Sequence, residues 1–242
     1  MAETYDRNRV RYLKKNRKYK DLFLYVQKYA QLHVEDAVFE LAECYMKGLG
    51  TDKSEFQGML LHRELASRDN LKAIYALAWD YYEGKGVRKN DRQALKYFQY
   101  AARRGHVDAK FNTGILYFNG IGTKKDEKRA FLWFEQAAVL GSAKAQFNVG
   151  ISYLKGWGVN PDPVKAHYWL EQAARQGHLA AQKYIDEDTS YIALEHLSDV
   201  YELLKKVDQE IQADTDVSKY MDRIRHLLDE IEKKSTKEEH HE

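Results

Sequence analysis

Pairs of glycines separated by one residue recur along the sequence and could, by composition alone, form phosphate-binding loops. They stand at Gly48/Gly50, Gly84/Gly86, Gly120/Gly122 and Gly156/Gly158. A phosphate loop requires a strand before the glycines and a helix whose N-terminus points at the anion. Here a helix-like pattern precedes each pair, and the motif occurs four times. We therefore interpret the glycines as structural.

The nine histidines are scattered and do not form a metal-binding pattern. His106 and His178 occupy one register of the sequence, where Asn70 and Ser142 stand in the other copies. Exchange among these residue types is typical of a helix start rather than of metal ligation. Because no cysteine and histidine set has zinc spacing, we expect no metal and no cofactor.

The single cysteine, Cys44, could act as a nucleophile if its thiol were activated. Its register is shared by Asp80, Leu116 and Ser152, a mixture from which we expect a partly exposed position. We find no base that would activate the thiol. Because no nucleophile, base and orienting group converge, we expect no catalytic residue and no enzyme activity.

A basic run near the N-terminus could contact an anionic surface. Arg7, Arg11, Lys14 and Lys18 fall on one predicted helical stripe, with tyrosines among them. Basic residues interleaved with aromatic ones occur in nucleic-acid interfaces. We expect instead a solvated face of a capping helix. The first alternative is that this stripe contacts an acidic protein. The second is that the chain is a regulator that binds nucleic acid through the stripe.

The glycines, the histidines and the cysteine discussed above belong to a repeating element, because the sequence has a period of 36 residues without insertion. A constant period in this range indicates a stack of identical supersecondary units. We place one unit boundary at each alanine of the series Ala37, Ala73, Ala109, Ala145. The predicted repeats are 37–72, 73–108, 109–144 and 145–180.

The sequence pattern of each repeat predicts two helices. The first ends at its glycine pair, since glycine readily takes the left-handed conformation found past a helix end. The second begins at a favoured N-cap residue, and these residues are Ser54, Asn90, Asp126 and Asp162. The first repeat has Gly58, Leu65 and Asp69 where the others have two alanines and a glycine, so we expect looser packing there.

The motif Ala-x-x-x-(Leu/Gly)-x-x-Tyr-x-x-Gly-x-Gly, followed by Ala-x-x-(Trp/Tyr)-Phe-x-x-Ala-Ala-x-x-Gly-His, resembles the SEL-1-like repeat (SLR) family, which is related to tetratricopeptide repeats. The resemblance implies an all-α fold, a right-handed α/α superhelical solenoid of four helix pairs with helical caps. It also implies a non-catalytic scaffold or adaptor for another protein, most often in bacteria with regulatory or secretion and virulence roles. The alternative is an immunity or chaperone-type inhibitor of a secreted toxin, which would also act by binding another protein.

The resemblance further implies that the first helices line a concave face. Large or polar residues at positions that the motif leaves free are the candidate partner-binding residues, because aromatic side chains concentrate binding energy in interfaces. They are Glu40, Trp79, Tyr82, Asn112, Phe118, Asn148 and Trp157.

Both ends of the chain depart from the repeat. We interpret residues 1–36 as a basic N-terminal cap or partial repeat. We interpret residues 181–242 as a further helix, an acidic helical hairpin and a frayed tail, with self-association through the hairpin as one role. The formal net charge is +2, and the acidic excess lies in this tail. No apolar run suggests a signal peptide or a membrane span, so we expect a cytoplasmic protein.

Overall fold

The computed structural model describes residues 4–187, together with the isolated residues 202 and 226. Within this part of the chain all regular secondary structure is helical. The fold is an all-α arrangement of consecutive helix pairs, as expected for an α-solenoid. The chain divides into two compact units, with the boundary between Lys125 and Asp126.

The helices follow one another at nearly constant spacing. From the third to the tenth, each has 13 residues. The helices are α1 (Arg7–Lys15), α2 (Tyr19–Ala30), α3 (Glu35–Lys47), α4 (Glu55–Ser67), α5 (Leu71–Glu83), α6 (Asp91–Arg103), α7 (Val107–Asn119), α8 (Glu127–Val139), α9 (Ala143–Lys155), α10 (Pro163–Arg175) and α11 (Leu179–Glu187). We refer to α3, α5, α7 and α9 as the first helices and to α4, α6, α8 and α10 as the second helices.

The second helices start at the four predicted N-cap residues. The side chain of Asn90 accepts the backbone N–H of Gln93 at 3.1 Å, and Asp126 accepts that of Arg129 at 2.9 Å. Ser54 and Asp162 make the same contact at the starts of α4 and α10. Each bond satisfies a donor that the helix itself leaves unpaired, which fixes where the helix begins.

The first helices end at the predicted glycines. Gly84 caps α5 in the left-handed conformation with a φ of +78°. The second glycine of the pair allows a close approach as well, because a Cβ atom on Gly86 would lie 2.1 Å from the backbone oxygen of Glu55. The glycine pair therefore ends one helix and lets the loop pack on the start of the preceding second helix.

Small residues let neighbouring helices pack closely, as predicted. In the second unit a Cβ atom on Gly150 of α9 would lie 2.7 Å from Cγ of Leu170 on α10. The looser packing expected in the first repeat is not found. Leu65 is fully buried, and the space over Gly58 is filled by the side chain of Met46. The Met46 side chain therefore occupies the space that the Cβ atom of an alanine at position 58 would take.

The N-terminal segment contains two helices rather than one continuous helix. The chain breaks after α1, where Arg17 has a φ of +54°, and Lys18 precedes α2. The predicted single stripe of Arg7, Arg11, Lys14 and Lys18 is therefore wrong for Lys18, which lies beyond the break. The basic pattern continued across residues 16–18, but the backbone turns there.

The predicted acidic hairpin lies outside the described residues, apart from the isolated residues 202 and 226, and the described part of the C-terminal segment is α11. Leu170, Ala173 and Ala181 form one buried cluster where α10 and α11 pack together. Among the described helices, none combines the length and the apolar character needed to cross a bilayer.

Candidate protein-binding cleft

A cleft of about 820 Å³ opens between the first helices α3 and α5 in the first unit. Side chains of these two helices form its walls, and His62 of the second helix α4 lies at its floor. Phe39, Tyr75 and Trp79 provide aromatic surface, and five lysines and five carboxylates surround it. The cleft therefore combines an aromatic interior with charges of both signs.

Two of the predicted partner-binding residues line this cleft, namely Glu40 and Trp79. Glu40 of α3 accepts a hydrogen bond from Lys14 of α1. The Trp79 ring is half-buried and packs edge-on against Phe98 and Tyr75, with centroids 5.4 Å and 6.4 Å away. Because the ring is held by neighbouring aromatics and still reaches the cleft, it is a rigid contact surface.

Tyr82 and Asn112 lie next to Trp79. The Tyr82 ring contacts the Trp79 ring edge-on at 5.4 Å, and Lys89 lies 5.4 Å above its face. The amide of Asn112 donates to the Tyr75 hydroxyl at 2.9 Å. The structure therefore brings Trp79, Tyr82 and Asn112 together, and Asn112 positions a tyrosine of the cleft wall.

The remaining predicted residues lie elsewhere. Phe118 is half-buried near the end of α7, with Lys125 lying 5.3 Å above its ring. Asn148 and Trp157 belong to the second unit, where Asn148 donates to the carbonyl of Lys144 in its own helix. Trp157 is 37% exposed in the loop after α9. None of these three residues lines the α3–α5 cleft.

Three basic residues of α1 make contacts with neighbouring helices. Arg7 pairs with Asp36 of α3, and Lys14 pairs with Glu40. The guanidinium of Arg9 lies 4.6 Å above the Tyr25 ring. These contacts neutralise part of the basic run and dock α1 against its neighbours, which leaves less positive charge available to a nucleic acid.

The floor of the cleft contains a buried polar pair that the sequence did not predict. His62 and Asp80 are 2% and 3% exposed, and Nδ1 of His62 lies 2.7 Å from Oδ2 of Asp80. Burial raises the pKa of Asp80 above its ordinary value, while the hydrogen bond and the charge of His62 act in the opposite direction. Nε2 of His62 is buried without a hydrogen-bond partner and faces Oε1 of Glu43 at 3.8 Å.

Four consecutive segments of the chain match the Sel1 repeat family, and they are residues 35–70, 71–106, 107–142 and 143–178. The chain belongs to the Sel1 repeat family. Each matched repeat begins with the first residue of a first helix and includes the second helix that follows. The predicted resemblance is therefore confirmed.

Solved structures support the same assignment. A Sel1 repeat protein from Oxalobacter formigenes is 29% identical, with 74% of each chain covered and a TM-score of 0.66. A protective antigen with an SLR fold from uropathogenic Escherichia coli strains is 32% identical, with a TM-score of 0.64. That match covers 66% of this chain and 34% of the antigen. No curated protein matches the chain. Proteins of the Sel1 repeat family generally mediate protein–protein interactions.

Comparison of the Sel1 repeats shows why the buried pair is unusual. At the position of His62 the other repeats have the buried residues Phe98, Phe134 and Leu170. At the position of Asp80 the next repeat has Leu116. Alignment of the repeats could have revealed a polar residue at each of these positions, but not that the two side chains meet.

Cys44 also shares the position of Asp80, and the expectation of a partly exposed thiol is wrong. Cys44, Asp80 and Ser152 are 0%, 3% and 3% exposed. Ser152 is accommodated because its hydroxyl donates to the carbonyl of Asn148 at 2.7 Å. Burial raises the pKa of the Cys44 thiol to about 11, which leaves it protonated and unreactive at neutral pH.

The predicted role of the two register histidines is confirmed. Nδ1 of His106 accepts the backbone N–H of Ala109 at 3.3 Å, and His178 caps α11 in the same way. The His106 ring also stacks on Tyr75 at 4.2 Å, and burial lowers its pKa below the ordinary value. Within the described residues no group of three histidine, cysteine or carboxylate side chains could hold a metal ion.

Proposed function

We propose that this Sel1 repeat protein is a non-catalytic adaptor or scaffold that binds a partner protein at the α3–α5 cleft. The observation that carries the proposal is the position of Trp79, whose ring lines the cleft from a first helix and is fixed by Phe98 behind it. Family membership supports protein binding as the general role, and the aromatic lining of the cleft supports our choice of this place.

The arrangement of charge around the cleft supports a protein partner. Lys53 pairs with Glu55 at 2.8 Å, and Lys85 pairs with Glu83 at the same rim. Lys72 is exposed at the edge of the cleft on α5. An aromatic centre inside a polar and charged rim is the usual composition of a protein interface, in which a few central residues contribute most of the binding energy.

The chemistry of the cleft supports a role without catalysis. The His62–Asp80 contact resembles the pairing of a base with its orienting carboxylate. A nucleophile would have to lie at Nε2 of His62, but the group facing that atom is the Glu43 carboxylate. Cys44 is buried with a raised pKa, so it does not serve as the nucleophile.

Affinity capture from the native host tests the proposal. The full chain and the Trp79→Ala variant serve as baits, and the partner retained by the full chain is quantified. Loss of a central aromatic residue should weaken binding by about 2 kcal/mol, which is roughly 30-fold. Phe56→Ala is the matched control, because Phe56 is an aromatic residue that is 60% exposed and does not line the cleft.

Circular dichroism separates a loss of contact from a loss of fold. A second variant, Lys72→Glu, changes only an exposed side chain and reverses one charge at the rim. Equal partner recovery with the full chain, Trp79→Ala and Lys72→Glu, all folded, would contradict the proposal.

A further inference from the structure

The polar floor of the α3–α5 cleft contains two hydrogen-bond acceptors that face each other. If the Asp80 carboxylate accepts a hydrogen bond from Nδ1–H of a neutral His62 ring, Nε2 of that ring is a hydrogen-bond acceptor. Oε1 of Glu43 lies 3.8 Å from that nitrogen, too far for a direct hydrogen bond. Nε2 is buried without a hydrogen-bond partner, and an unpaired buried acceptor is costly, so this arrangement calls for a donor group that reaches Nε2 and the Glu43 carboxylate together.

The fold itself does not require a polar floor. The equivalent position in the next repeat holds Phe98, which packs against Tyr75 and Trp79 at 5.7 Å and 5.4 Å. Phe39 and Glu43 are the counterparts of those two residues in the first repeat. Buried pairs of charged or polar groups seldom stabilise a protein more than apolar residues of similar size do. Stability therefore does not account for the His62–Asp80 pair.

The surroundings of the floor favour a planar cation. The Phe39 ring lies 5.4 Å from the His62 ring, and Tyr75 and Trp79 line the same cavity. A cation is attracted to the face of an aromatic ring. Lys47 pairs with Glu43, but its side chain is 61% exposed. An exposed ion pair of this kind is worth little and is easily exchanged for another cation.

We infer that the α3–α5 cleft receives an arginine side chain of the partner protein, whose guanidinium donates to Nε2 of His62 and to the Glu43 carboxylate. Arginine suits the site because its planar group carries five donors in a fixed geometry and also stacks on aromatic rings. Asp80 is a positioning residue, since it holds the imidazole with Nε2 toward Glu43. This inference rests on the proposed function, because it takes the arginine to belong to the partner protein that binds the cleft.

Nuclear magnetic resonance of the full, nitrogen-15-labelled chain tests the inference without the partner. The probe is N-acetyl-arginine methylamide, and the control is N-acetyl-citrulline methylamide, which has the same shape but no charge. The arginine probe should shift the His62 and Trp79 side-chain signals with a Kd on the order of 1–10 mM. Citrulline should bind at least about tenfold more weakly.

Two results would overturn the inference: no saturable shift with the arginine probe, or equal shifts with citrulline. Glu43→Gln should weaken the arginine response, whereas Glu64→Gln is the matched control because Glu64 is an exposed carboxylate of α4 away from the cleft. The double variant His62→Phe/Asp80→Leu copies the apolar residues of the next repeat and should abolish the response in a folded chain.

Failure of this inference is distinguishable from failure of the proposed function. If capture of the partner depends on Trp79 but the chain does not bind the arginine probe, only the arginine site is overturned. A chain that binds the arginine probe but whose partner capture is unaffected by Trp79→Ala overturns the proposed function at this cleft.

Discussion

The buried His62–Asp80 pair allows a stability prediction with a defined magnitude. In His62→Phe the Asp80 carboxylate, which is 3% exposed in the unchanged chain, loses its hydrogen bond. Removing one partner of a buried pair costs about 3–5 kcal/mol in the free energy of unfolding. In Asp80→Leu the imidazole loses its acceptor, and an unsatisfied buried donor costs about 1–3 kcal/mol.

The double variant His62→Phe/Asp80→Leu should be far more stable than the sum of the single changes suggests. Phe98 and Leu116 occupy the equivalent positions of the next repeat and are 1% and 3% exposed, so apolar side chains fit this packing environment. We expect a free energy of unfolding within about 1 kcal/mol of that of the unchanged chain. The coupling energy between the two positions would then be at least about 3 kcal/mol, at the upper end for residues in contact.

Urea unfolding of the four proteins in the cycle, followed by circular dichroism, measures this coupling. Because repeat proteins can unfold in stages, hydrogen exchange of the α4 and α5 amides should accompany the global measurement. An unchanged urea dependence across the cycle would show that the same surface is exposed on unfolding in each protein. Additive single changes, or a double variant as unstable as His62→Phe, would refute the view that the two residues form one buried unit.

Further predictions concern the loop glycines, the capping histidine and the cysteine. Gly86→Ala should lower the free energy of unfolding by more than about 3 kcal/mol, because its Cβ atom would lie 2.1 Å from the Glu55 oxygen. Gly105→Ala, whose Cβ atom meets nothing within 4 Å, should cost only about 1 kcal/mol of backbone strain, and equal losses in urea unfolding would contradict this account. Because burial lowers the pKa of His106, the unfolded chain binds the proton first as pH falls below about 6.5, so stability should fall with decreasing pH. His106→Asn should keep the cap and reduce that dependence in urea unfolding between about pH 7.5 and about pH 5.5, and an unchanged slope would argue against it. The Cys44 thiol should react with a disulfide reagent only after unfolding, and rapid reaction of the native chain would contradict its burial.

Local features of the fold were predictable because their physics is local. An N-cap such as Asn90 needs only a side chain and the backbone two or three residues later, so the sequence alone indicates it. The helix pairs were predictable for a different reason: the 36-residue period repeats one pattern, and each unit stacks on a similar one. The break between α1 and α2 was missed because the basic pattern continued through Arg17, whose positive φ turns the chain.

The floor of the cleft was not predictable in the same way. His62 and Asp80 lie on different helices, and nothing in their spacing indicates that the side chains meet. The variety of residue types at the Cys44 position of the repeat led us to expect a partly exposed side chain. A buried position can accept a thiol, a hydroxyl or a carboxylate when each polar group finds its own partner, as Ser152 and Asp80 do.

The central claim is that a partner protein binds at the α3–α5 cleft, and site-specific photo-crosslinking in the native host tests it most directly. A photoreactive residue replaces Lys72, which is exposed at the edge of the cleft, or Phe56, which is exposed away from it. The account predicts a discrete covalent adduct with one partner protein from position 72, and none from position 56. Adduct formation at position 56 but not at position 72 would contradict it.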